Sequence, residues 1–260
     1  MNSDLTFDLI EKLIAVAIIF QTLELIAIRQ VFSDEGVWRW STLSKEFKVF
    51  SRVSQCVFTF FLGYRNFCIL LFARLILALT LFFVSSPLVL VSLLISTILI
   101  SLRWRGTFNG GSDYVTVLVL YSLTFASFFR DHLTVENAVL WYITIQISSS
   151  YFIWGIVKLK SANWRSGKAI KGFFSSTIYH NSKLLESVLQ SRAVVLFISW
   201  SIILFEILFV VSLLNPHLCL IVLSFAFLFH LANFYIFGLN RFLFSWVACY
   251  PAVYYCSGLT

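Results

Sequence analysis

Three residues near the end of one apolar stretch have types and spacing suited to proton chemistry. In "YFIWGIVKLKSANWRSG", Tyr151, Trp154 and Lys158 fall at i, i+3 and i+7 and share a helical face. An amine beside aromatic walls and withdrawn from water can serve as a general base. The same position also suits an anchor, with the alkyl stem on apolar surface, the ammonium among head groups, and Trp154 and Trp164 in an interfacial aromatic belt. Downstream, "IILFEILFVV" carries Glu206 at its centre, and "FHLANFYIFGLNRF" carries His230 and Asn233 three residues apart on one face. A neutral imidazole can pass a proton near pH 7. An ionisable group in hydrocarbon costs roughly 2.5–3.5 kcal/mol, so each of these needs a reason to be there. Glu24 and Arg74 raise the same question, and Arg74 with Glu24 or Glu206 would make a buried ion pair that fixes helix packing. The candidate catalytic groups are therefore Lys158, Glu206 and His230, with Tyr151, Trp154 and Asn233 lining their site.

The elements that must position these groups follow from the apolar pattern. The 260-residue chain is 60% hydrophobic and 12% charged, with 29 Phe. So few charges cannot cover a water-soluble surface, where about 25% is usual. Several runs exceed the roughly 17 residues that cross a hydrocarbon layer, and they do not alternate as barrel strands do. The expected fold is all-α, a polytopic membrane bundle of about eight transmembrane helices, at roughly 9–28, 66–84, 86–102, 113–129, 138–157, 193–214, 218–238 and 242–256. "SSP" at Ser85–Pro87 separates the second and third. The last run is short and contains Pro251. The segment 47–62 carries Lys48, Arg52 and Gln55 and reads as interfacial or re-entrant.

Charge placement supports that count. With the amino terminus outside, sixteen of the nineteen Lys and Arg fall in inner segments and only Arg130 in an outer one. Both termini are expected to be extracytoplasmic. The acidic start, "MNSDLTFDL", lacks the basic region of a cleavable signal peptide. The chain reads as a single membrane domain over 1–260, with no appended soluble domain. The net charge of +7 sits in loops, which points to anionic lipid head groups as partner and not to nucleic acid. "GKAIKGFFSSTIYH" suits a surface helix. The five cysteines form no CxxC and read as packing residues. His132, His180, His217 and His230 have no ligand spacing, "NGGSDY" lacks a P-loop lysine, and no GxSxG is present.

The stretch Tyr151–Gly167 resembles the signature of the horizontally transferred transmembrane (HTTM) domain, the membrane part of the vitamin K-dependent gamma-carboxylase superfamily. That signature is an aromatic run, a Gly, a Lys-Leu pair, a polar spacer, then Trp and Gly, here Phe152, Gly155, Lys158, Leu159, Trp164 and Gly167. The helix of Glu206 resembles the family's acidic helix, and His230, Asn233, Gly238 and Phe242 resemble its Phe-His helix. "RWRGTFNGGSDYVTVLVL" resembles the entry to a helix in bacterial members. The resemblance covers about 66–250. It implies that Lys158 stands where the carboxylases deprotonate a reduced vitamin K-type quinol, with Glu206 and His230 lining the same cavity. Two features depart from the carboxylases: the large extramembrane domain is missing, and "FFRDHLTVEN" replaces a His-Tyr-Trp stretch. The inner position of Lys158 is a third difference.

Compact members of the group include SdpB-like proteins of the bacterial cytoplasmic membrane, which act with a small accessory partner to mature a secreted peptide. The resemblance leaves open such a maturation protein and a quinol-dependent gamma-glutamyl carboxylase-like enzyme. Composition leaves open a transporter or immunity protein whose buried charges only hold the bundle together.

Overall fold

In a computed structural model, residues 1–104, 111–130, 132–174 and 189–259 are described. Arg105, Asn109, Gly110, His180 and Lys183, all used in the sequence reading, lie outside them. The described residues are helical, with no strand. The helices of the first half are α1 (Ser3–Ala27), α2 (Trp40–Leu43), α3 (Arg52–Leu62), α4 (Tyr64–Thr80), α5 (Pro87–Arg103) and α6 (Gly111–Ser127). Then come α7 (Leu133–Lys160), α8 (Ala162–Arg165), α9 (Lys168–Phe174) and α10 (Arg192–Leu208), which a 3-10 turn extends over Phe209–Leu213. Last are α11 (Pro216–Phe237), α12 (Asn240–Val247) and α13 (Tyr250–Ser257).

The chain forms two compact units, Met1–Val139 with Phe244–Ala248, and Leu140–Leu243 with Cys249–Thr260. In the first, Asn2 caps α1 by accepting from the Leu5 amide at 3.0 Å. Ile10, Ile14, Ile18, Gln21 and Leu25 form its buried stripe, and α1 packs on α4 and α6. Ser86 caps α5, whose first residue is Pro87; the "SSP" break falls where the sequence puts it. Arg74 of α4 is buried and donates to Gln21 Oε1 at 3.1 Å and Thr22 Oγ1 at 3.2 Å. Gln21 in turn donates to Thr116 Oγ1 at 2.9 Å.

Arg103, counted in the sequence as a loop cation, is wholly buried. Its guanidinium donates to the carbonyls of Leu62 (3.1 Å), Phe32 (2.8 Å) and Trp38, and lies 5.3 Å from the Phe32 ring centroid. These carbonyls sit at chain bends that no helix satisfies, so one side chain completes three orphan acceptors.

In the second unit α11 packs on the 3-10 turn after α10, and α13 packs on both. Asn215 caps α11, with Pro216 at its start. Gly238, at φ 67°, ends it in the left-handed region that favours glycine.

Among the described residues, three helices are long and apolar enough to cross a membrane: Leu133–Lys160, Arg192–Leu213 and Pro216–Phe237. A fourth crossing is counted if α3 and α4, bent by 68° at Gly63, act as one. α5 and α6 have 17 residues each, at the short limit for crossing. α1 has the length, but Glu11, Lys12 and Glu24 interrupt its apolar run. The expected run 242–256 is not one helix: it breaks between α12 and α13, where Pro251 starts a new helix.

Candidate functional site

Lys158 occupies the last turn of α7 and Glu206 the last turn of α10. Gly155, one turn before Lys158, sets their distance. A Cβ at Gly155 would lie 2.8 Å from both the backbone N and Cγ1 of Ile207, and 3.0 Å from Glu206 Cβ. Only a residue without a side chain lets the two helices approach this closely. At that separation Lys158 Nζ reaches Glu206 Oε1 at 2.8 Å and Oε2 at 2.6 Å. The side chains are 15% and 5% exposed, so water screens the pair little.

Two indoles flank the amine. Nζ lies 5.2 Å from the Trp164 ring centroid and 5.9 Å from that of Trp154. Trp164 belongs to short α8, which is fastened to α10 where Ser199 Oγ donates to the Trp164 carbonyl at 2.5 Å. Ile170, Leu189 and Val195 pack together beneath it. Gly167, at φ 75°, makes the turn from α8 to α9, and a Cβ there would meet Val195 Cγ1 at 2.6 Å. The Gly and Trp positions of "GIVKLKSANWRSG" thus have a geometric basis: both glycines allow close contact with α10, and Trp164 closes over the ion pair.

A second pair sits two turns earlier on α7. Tyr151 and His230 are both 3% exposed, and the Tyr151 hydroxyl lies 2.7 Å from His230 Nε2. The Tyr151 ring stacks on Phe209 at 4.1 Å and meets Phe205 edge-on at 5.5 Å. Tyr151 and His230 therefore form a hydrogen-bonded pair walled by aromatic rings.

Of the six residues singled out from sequence, Lys158 and Glu206 meet directly, and Tyr151 and His230 meet directly. Trp154 flanks the amine while remaining 57% exposed, so it forms an outer edge and not a cavity wall. Asn233 turns its amide back to the Phe229 carbonyl at 2.9 Å within its own helix, the usual way for a short polar side chain to be satisfied in an apolar helix. Phe209 and Phe205, which wall the Tyr151–His230 pair, were not legible: each is one Phe among many. The five cysteines are all free, with Cys219, Cys249 and Cys256 buried. Among the described residues, no group of His, Cys, Asp and Glu is arranged to hold a metal.

The arrangement fits a proton-holding centre better than a quinol site. In the closed pair Lys158 Nζ presents no free lone pair to a quinol or to any other proton donor. Tyr151, the expected ring wall, is covered by Phe209, and its hydroxyl is engaged by His230. These residues do not fit a bound quinol. Compared with known proteins, the chain matches no family model, no curated protein and no solved structure.

Proposed function

We propose that the chain is an integral membrane protein of the HTTM type, with about eight helices in the bilayer, that serves the maturation of a small secreted peptide. The observation that carries this reading is the bidentate Lys158–Glu206 contact beneath Trp164, made possible by Gly155. It unites positions on which the resemblance to the HTTM domain rests; the SdpB-like type within that group is favoured by the compact chain. The count of eight needs α1, α4, α5, α6 and the α12–α13 segment in the bilayer beside the three long helices. Fifteen basic residues in the segments assigned to one side, with Arg103 set apart as buried, against Arg130 on the other support both termini lying outside, in a bacterial cytoplasmic membrane.

In this reading the chain's own groups hold and release protons. The Lys158–Glu206 pair is the resting arrangement, and base chemistry begins when the pair opens or the proton passes to the carboxylate. Tyr151 and His230 offer a second exchangeable proton. The peptide is acted on at this centre, with a small accessory protein presenting it. The test is mass spectrometry of a small secreted peptide encoded beside this chain, produced with the wild type and with Lys158→Met. A covalent mass change present only with the wild type is the expected result. An unchanged peptide in both strains sinks the reading.

The closed geometry of the ion pair favours a second reading, a transporter or immunity protein in which the pair only clasps α7 to α10. In that case Lys158→Met combined with Glu206→Leu would retain full activity, because an apolar pair of similar volume replaces a buried ion pair at little cost.

A further inference from the structure

A pocket of about 340 Å³ lies within the first unit, at the end where α1, α5 and α7 begin and α6 finishes. That volume is at the lower end of the about 300–1,000 Å³ of small-molecule sites. Four carboxylates line it: Asp4, Asp8, Glu11 and Glu136. The α1 acids stand at i, i+4 and i+7, on one face. Two of the four are already matched. Asp8 accepts from Lys12 at 2.7 Å, and Glu11 accepts from Ser85 Oγ at 2.7 Å and from Arg130 at 3.4 Å.

Glu136 differs from them. It is only 9% exposed, it lines the pocket, and its carboxylate has no hydrogen bond or ion pair among the described residues. The dipole of α7 favours a negative charge in its first turn, but supplies this carboxylate no donor. A carboxylate largely removed from water needs a compensating positive group. Four acids against Lys12 and Arg130 leave two negative charges in excess. Phe7 and Leu123 give the pocket an apolar wall, and an aromatic face attracts an organic cation. No set of three or more His, Cys, Asp or Glu among the described residues is arranged for a metal ion.

We propose that this pocket binds a small organic ammonium ion, with Glu136 as its ion-pair partner. The site involves none of the groups around Lys158 and does not rest on the function argued for them.

The test is calorimetric titration of the full-length protein in lipid nanodiscs with putrescine, using 1,4-butanediol as a neutral analogue of similar length. Putrescine is expected to bind saturably and butanediol not at all. Removing one charge-assisted hydrogen bond weakens binding about tenfold or more, so Glu136→Gln should show that loss. Leu123→Trp, which fills the pocket without touching a carboxylate, should abolish binding. Thermal melts identify any variant that fails to fold. Absence of saturable putrescine binding to the wild type overturns the proposal. So does Glu136→Gln binding putrescine unchanged with a lower melting temperature, the signature of a carboxylate that serves only the helix dipole. Equal binding of the diol, or displacement of putrescine by calcium at matched ionic strength, overturns the ammonium class.

Discussion

At the scale of single residues, the decisive contact is Lys158 to Glu206. Both groups are largely removed from water, so each is tolerable only because of the other. Removing one partner leaves an uncompensated charge. Lys158→Met or Glu206→Leu alone should therefore destabilise by about 3 kcal/mol or more, and the double variant by much less. Unfolding in mixed micelles measures this cycle, and additive single costs would mean that the pair does not couple. The Tyr151 hydroxyl, 2.7 Å from His230 Nε2, makes a smaller contribution. Tyr151→Phe keeps the stack on Phe209 and loses the hydroxyl's bonds, that to His230 among them, so a loss of about 1–3 kcal/mol is expected in the same assay.

At the scale of elements, Gly155 determines whether α7 and α10 can meet. A helix gains roughly 0.5–1 kcal/mol when an interior Gly becomes Ala. At Gly155 the clash should outweigh that gain, because the backbone N of Ile207 at 2.8 Å cannot move aside without separating the helices. Gly155→Ala should lose about 1–3 kcal/mol. Gly172 in α9 has no atom within 4 Å of its would-be Cβ, so Gly172→Ala should gain stability. Opposite signs for one substitution in one melting series would bear this out; equal signs would discard the close-approach argument. Helix ends were largely readable because they carry local chemistry: Ser86 before Pro87, Asn215 before Pro216, Gly238 after Phe237. The meeting of Lys158 with Glu206 was not, because residues 48 apart carry no mark of their pairing. The burial of Arg103 was equally hidden. A basic residue beside Trp104 at a helix end resembles an interfacial anchor, and the carbonyls it satisfies come from distant bends at Phe32, Trp38 and Leu62. The acids of α1 did show their i, i+4, i+7 pattern, but Glu136, which makes them one pocket, lies more than a hundred residues away.

At the scale of the whole molecule, the proposed membrane arrangement turns on how the chain would meet a bilayer, and α3 decides much of it. Three sides of that helix differ. Phe58 and Leu62 pack with Trp40, Leu43 and Phe47. Val53, Val57 and Phe60 are apolar and exposed. Arg52, Gln55, Cys56 and Thr59 form a polar stripe at i, i+3, i+4 and i+7. A helix lying in the interface has this make-up, with its apolar side at the acyl boundary and its polar side in water. A helix crossing the bilayer would put Arg52 and Gln55 against lipid. The 68° bend at Gly63 allows α3 to lie flat while α4 crosses. Cys56 is the one exposed cysteine of the five and sits on the polar stripe, so the native chain carries its own reporter. On the sidedness proposed above, a membrane-impermeant maleimide should leave Cys56 unmodified in intact cells and modify it in inverted vesicles. Labelling from the outside would reverse the sidedness derived from the charge distribution. No labelling from either side, with full labelling after denaturation, would make α3 and α4 one bent span buried in lipid.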